Sequence, residues 1–122
     1  MKTPRARRVG EQIRQELADI LWREMKDPRV HGVTINAVDV TSDLEHAKVW
    51  YTLLAGEDAE ISKALTRAAG FLRTELSHRM RMRVVPKLTF QYDRSIERGA
   101  HLSQLIEQAL EEDKRFHKDD EA

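Results

Sequence analysis

Cysteine is absent from the 122-residue chain. That excludes disulfides, thiol nucleophiles and cysteine-bound zinc, and it suits a reducing compartment. Long apolar runs are missing too. None approaches the roughly 20 residues that cross a bilayer, and the basic start, MKTPRARRVG, is not followed by an apolar signal-peptide core. The sequence holds no P-loop, no dinucleotide-binding glycine pattern and no H-E-x-x-H. His31, His46, His78, His101 and His117 are scattered over separate elements. Glu75 with His78, and Glu97 with His101, stand one helical turn apart and read as surface ion pairs. No nucleophile, base and oxyanion donors can be assembled from these residues. The expectation is a protein without catalytic residues, metal or cofactor.

What is present is charge. Charged residues make up 34% and hydrophobic residues 40%, which suits one soluble domain with a modest core. The formal net charge of zero hides a gradient. Lys2, Arg5, Arg7 and Arg8 precede the first acid, Glu11. Lys63, Arg67, Arg73, Arg79, Arg81, Arg83 and Lys87 face one acid, Glu75, in the middle of the chain. Glu107, Glu111, Glu112, Asp113, Asp119, Asp120 and Glu121 reverse the sign at the end. Separated signs leave a local positive field, felt within about 8 Å at physiological salt.

Thr3-Pro4 predicts a helix start. Val9, Ile13, Leu17, Ile20, Leu21 and Met25 recur at helical spacing, and Asp27-Pro28 should end the helix. Residues 27–32 read as a loop. VTINAVDV (33–40) and HAKVWYTLL (46–54) read as paired strands, with Ala47, Val49, Tyr51 and Leu53 on one face. Asp58 predicts the cap of a second helix over 59–69. A third helix is expected from Phe71, then a strand in which Leu88, Phe90 and Tyr92 alternate inward. Ser95 predicts the cap of a last helix, with Leu102, Leu105, Ile106, Ala109 and Leu110 on one stripe.

The chain is organised around residues 63–83, KALTRAAGFLRTELSHRMRMR. Mid-helix glycine costs about 1 kcal/mol relative to alanine, so Gly70 implies a bend, a cap or a close backbone approach. Two readings stand at this point. The stretch is a bent, basic element facing RNA, or it is a core helix with a solvated charged face.

Several fragments fall in a specific order: Asp27-Pro28-Arg29-Val30, Val38 through Ser42-Asp43-Leu44 into Ala47-x-Val49, Ala68-Ala69-Gly70, Arg79-Met80-x-x-Arg83-x-Val85-Pro86-x-Leu88-x-Phe90, and Asp93-x-Ser95-x-Glu97-x-Gly99. With these spacings the chain resembles the bacterial ribosome-binding factor A family over about residues 5–110. The resemblance implies an α+β, type II KH-like fold with a three-stranded sheet backed by helices. Ala68-x-Gly70 would form a helix-kink-helix junction in place of the GxxG clamp of ordinary KH domains, a motif absent from this sequence. One domain would span 1–112, followed by a polar tail, 113–122.

The resemblance also implies a cytoplasmic, monomeric, non-catalytic assembly factor. It would bind the free 30S subunit and its 16S rRNA, and support late maturation and 5′-end processing, including in the cold. A ribosome-assembly GTPase is the expected partner for release, with no membrane and no cofactor. Arg5, Arg7, Arg8, Arg73, Arg79, Arg81, Arg83 and Lys87 are the candidate phosphate contacts, and Ala68 and Gly70 the kink. Arg29 is expected to tie its turn to the sheet. A generic RNA-binding module without particle specificity, or an interaction domain whose charge only solvates it, are the competing readings.

Overall fold

A computed structural model of the chain describes residues 3–95 and 104–111. The first helix, α1, spans Pro4–Arg23. The Thr3 hydroxyl accepts from the Ala6 N–H at 3.1 Å, and Pro4 occupies a first-turn position where no amide donor is needed. Ala6, Ile13, Leu17, Ile20 and Leu21 are buried along one face. The helix stops four residues before Asp27, with Glu24 as its C-cap. This corrects the expected end at Asp27-Pro28, and Lys26 lies beyond the helix. Pro28–Gly32 forms a single 3-10 turn whose Val30 is fully buried. Arg29 closes on Asp27 at 2.8 Å inside that turn, so its guanidinium does not tie the turn to the sheet as expected.

Strands β1 (Val33–Val40) and β2 (His46–Leu53) form the expected antiparallel hairpin. Ile35 and Val40 are both buried, although an uninterrupted strand would send them to opposite faces. A bulge between Ile35 and Ala37 resolves this: Asn36 is the extra residue. Its amide donates to Asp93 at 3.0 Å and its carbonyl oxygen accepts from the Thr52 hydroxyl at 3.3 Å. Strand β3 (Lys87–Tyr92) runs parallel to β2, giving the order β1-β2-β3. A parallel neighbour requires a crossover, and the helix α2 (Ala59–Met80) supplies it. Tyr51 and Tyr92 meet edge to face on the covered side of the sheet, with ring centres 5.7 Å apart.

Helix α2 runs unbroken through Gly70 for 22 residues. The two separate helices expected at 59–69 and from Phe71 are therefore one. Leu65, Leu72 and Leu76 are fully buried on both sides of the glycine. Three such burials, each worth about 1.5–3 kcal/mol, outweigh the ~1 kcal/mol that one glycine costs. The Thr74 hydroxyl donates back to the Gly70 carbonyl at 3.1 Å. Bonds of that kind tend to bend a helix without ending it, so the Ala68–Gly70 junction lies within one helix.

Past β3, the Asp93 carboxylate accepts from the Ser95 N–H at 2.9 Å, and the first turn of the helix expected after Ser95 lies outside the described residues. Residues 104–111 are helical and carry Leu105, Ile106 and Leu110 exposed. Leu102 and the 113–122 tail fall outside the described residues.

Candidate nucleic-acid interface

The segment that follows α2 is shaped by its last turn. Arg81 caps the helix in the left-handed conformation, φ 52°. Glycine is the usual residue there, and any other pays roughly 1–2 kcal/mol. Arg73 donates through Nη2 to the Val85 carbonyl at 2.8 Å, and the Ser77 hydroxyl donates to the Met82 carbonyl at 3.1 Å. Val85 and Pro86 are buried. Arg83 is exposed between these anchors, as is Val84, at 70%.

Two hollows meet on this segment. One, of about 370 Å³, runs along α2 past Gly70, Arg73, Thr74 and His78 to Arg83 and Val84. The other, of about 620 Å³, is lined by Arg5, Asp43, Leu44, Glu45, Arg81, Met82, Arg83 and Val84. Sharing Arg83 and Val84, they form one groove from the exposed Gly70 to the first turn of α1. The guanidinium groups of Arg5, Arg81 and Arg83 make no ion pair or hydrogen bond among the described residues. Lys87 lines neither hollow, but its amide N–H donates to the carbonyl of Glu45, a wall residue, at 2.8 Å and its side chain is exposed. Three free cations along one open groove suit a chain of phosphates.

The other basic residues have different surroundings. Arg79, only 24% exposed, donates to Asp19 at 2.6 Å and Glu16 at 3.1 Å, with Glu24 at 3.6 Å. It bolts α2 to α1. The hydrogen bond from Arg79 is the main reason the Asp19 carboxyl sits below its ordinary range, opposed by partial desolvation and helped by the Arg23 charge. Arg73 is half-buried against Val85, and its Nε is buried without a partner. Arg7 and Arg8 are exposed on α1 but do not line the groove. Ala68 is half-buried. A Cβ on Gly70 would meet nothing within 4 Å, so tight packing of a bend does not explain this glycine.

The groove includes residues that charge and periodicity do not mark. Asp43, Leu44, Met82 and Val84 carry no signal of their own, although Ser42-Asp43-Leu44 is one of the fragments of the resemblance. Leu44 has φ 62°, and with Arg81 it is the second non-glycine residue at positive φ among the described residues. The Asp43 carboxylate accepts from the Thr41 hydroxyl at 2.6 Å and the Glu45 N–H at 3.0 Å. Those bonds, the hydroxyl first, hold its carboxyl below the ordinary range. Trp22 is likewise unmarked in the sequence. It is 64% exposed near the far end of α1, its ring 5.2 Å from that of His31. Among the described residues no group of three or more His, Asp or Glu side chains is placed to hold a metal ion.

Comparison with known proteins places this geometry. The sequence profile of ribosome-binding factor A matches residues 5–106. Ribosome-binding factor A of Thiobacillus denitrificans is 55% identical over 119 residues, covering 96% of each chain. The crystal structure of ribosome-binding factor A from Thermus thermophilus superposes with a TM-score of 0.66 at 29% identity, over 74% of this chain and 98% of that one. The Thermus thermophilus protein fitted as a homology model into a cryo-EM map of a 30S-RbfA complex gives a TM-score of 0.61 at 30% identity, over 70% of this chain and 91% of that one. The KH-like arrangement of helices on a three-stranded sheet is common to this chain and those relatives.

Proposed function

The chain belongs to the ribosome-binding factor A family, and from that premise we propose that it is a non-catalytic assembly factor of the small ribosomal subunit. It binds the free 30S particle through its 16S rRNA and supports late maturation and 5′-end processing, including in the cold. It acts as a cytoplasmic monomer, and a ribosome-assembly GTPase promotes its release. The observation that carries this reading is the fold match to a relative fitted on a 30S particle.

The groove supplies the contact surface. Arg5, Arg81, Arg83 and Lys87 hold phosphates, with Arg7 and Arg8 extending the patch along α1. Gly70, at the other end, leaves room for a backbone to come close to α2. Arg73 and Arg79 act behind this surface, one fixing the 82–85 segment and the other the angle between the helices. Arg29 holds its own turn.

Co-sedimentation with small subunits, large subunits and a bare structured RNA, at two salt concentrations, tests the proposal. Selective, salt-sensitive recovery with small subunits is expected. Equal recovery with every RNA would replace it with the generic RNA-binding reading, and no recovery with any would point to an interaction domain.

A further inference from the structure

The larger hollow carries chemistry that phosphate contacts do not use. Its rim holds Arg5, Arg81 and Arg83, but Asp43 and Glu45 stand among these cations. A surface that only followed a phosphate backbone would be weakened by carboxylates in its wall. Asp43 is fixed by the Thr41 hydroxyl and the Glu45 N–H, both at Oδ1. An ionised carboxylate has about four acceptor sites, so capacity remains for a ligand donor. Three of the lining side chains are apolar. Leu44 and Met82 rest on the core, and Val84 is exposed beside them. A volume of about 620 Å³ is within the range of sites for small organic ligands.

Apolar side chains, a carboxylate and arginines together match a nucleobase better than a phosphate. Unpaired bases in RNA are read by stacking or apolar contact and by bonds to their edges. Guanine offers adjacent N1–H and N2–H donors on one edge and the O6 and N7 acceptors, which arginine recognises, on the other. Adenine and cytosine each offer one amino group, and uracil one imide N–H. We infer that this hollow binds one unpaired guanosine of an RNA strand, with its base on Leu44, Met82 and Val84, its donor edge on Asp43, and the flanking phosphates on Arg5, Arg81 and Arg83. The inference rests on the rRNA-binding reading and deepens it from backbone contact to base selection.

The backbone agrees with this assignment. Leu44 and Arg81 both hold left-handed conformations, and both line this hollow. The Leu44 side chain is partly accounted for by its packing on the core. That of Arg81 is exposed and without a partner among the described residues, where glycine would fit the turn with less strain. Strained residues of this kind gather at binding sites.

The test compares oligouridine with the same oligomer carrying one guanosine, titrated against the full chain by fluorescence anisotropy and by methyl NMR. The expected preference for guanosine is about tenfold, the scale of one good edge contact. Leu44 and Val84 methyl resonances should shift with the guanosine oligomer alone. Asp43→Asn keeps an acceptor for Thr41 and Glu45, so it should fold, bind both oligomers equally and retain salt-sensitive binding. Arg81→Gly should be at least as stable as the parent and weaken both oligomers alike, leaving the guanosine preference in place, since Arg81 holds a flanking phosphate. Salt-sensitive binding with no base preference in the unmodified chain would overturn the guanosine site and leave the rRNA reading standing. Failure of the folded chain to bind either oligomer or small subunits would overturn both. If Asp43→Asn does not fold, the unmodified chain's preference and the Leu44 and Val84 methyl shifts still decide.

Discussion

Gly10 and Gly70 both sit inside helices, and one added methyl group should act on them in opposite directions. A Cβ on Gly10 would stand 2.6 Å from the Val38 carbonyl oxygen, a backbone atom of β1 that cannot rotate aside. Alanine gains about 1 kcal/mol of helix propensity, but overpacking of this kind costs about 1–3 kcal/mol. Gly10→Ala should therefore be destabilising by up to about 2 kcal/mol. Gly70 faces open space, so Gly70→Ala should stabilise by about 0.5–1 kcal/mol. Chemical denaturation measures both. If Gly70 serves the approach of an RNA backbone, the stabilised variant will also bind small subunits more weakly. Unchanged binding would assign Gly70 no role in the interface. Neither glycine's environment was legible in the sequence. Gly10 looked like one more residue of an amphipathic helix, because the strand that crosses it begins more than twenty residues later.

At the scale of elements, patterns confined to one segment were legible and those depending on a distant segment were not. β-Branched residues marked β1, period-two alternation marked β2, and Thr3-Pro4 and Asp58 marked true helix starts. The bulge at Asn36 was hidden, since its reason is the burial of both Ile35 and Val40 and the bond to Asp93 across the sheet. The break expected at Gly70 fails because three buried leucines hold α2 together. Basic residues were visible by type, but their partners were not. Arg79 finds its carboxylates about sixty positions away, on α1. That contact has a pH signature. Asp19 titrates below its ordinary value of 3.8 in the folded chain. Its stabilisation is complete above that ordinary value and is lost as pH falls through the lowered folded one. Arg79→Gln should lower the melting temperature at neutral pH, and the gap to the parent should close as acid protonates Asp19. A gap that stays constant below pH 3.8 would mean that Arg79 stabilises by packing its stem and not through its charge. Small-subunit binding by the folded variant should change little.

For the whole molecule, the neutral net charge is a poor guide to RNA binding, because association responds to the cations that reach phosphate. Of the 21 lysines and arginines, three line the groove with exposed charge, Arg5, Arg81 and Arg83, and exposed Lys87 is bonded through its amide to Glu45 of the wall. Single-stranded RNA releases counterions with a slope of about −0.7 in log affinity against log salt for each phosphate neutralised. Four contacts predict a slope of about −3 for a single-stranded oligomer. Arg83→Gln should reduce its magnitude by about 0.7, and Arg5→Gln likewise. Arg79→Gln should leave the slope unchanged, since that guanidinium already faces three carboxylates. Replacing Arg79, Arg81 and Arg83 together would confuse the two roles, because loss of the helix-to-helix ion pairs and loss of the phosphate contacts would be read as one defect. A slope of about −4 would mean that Arg7 and Arg8 reach the strand as well and that the contact continues along α1. A slope near zero would leave the exposed cations as a solvated face and remove the electrostatic basis for this interface.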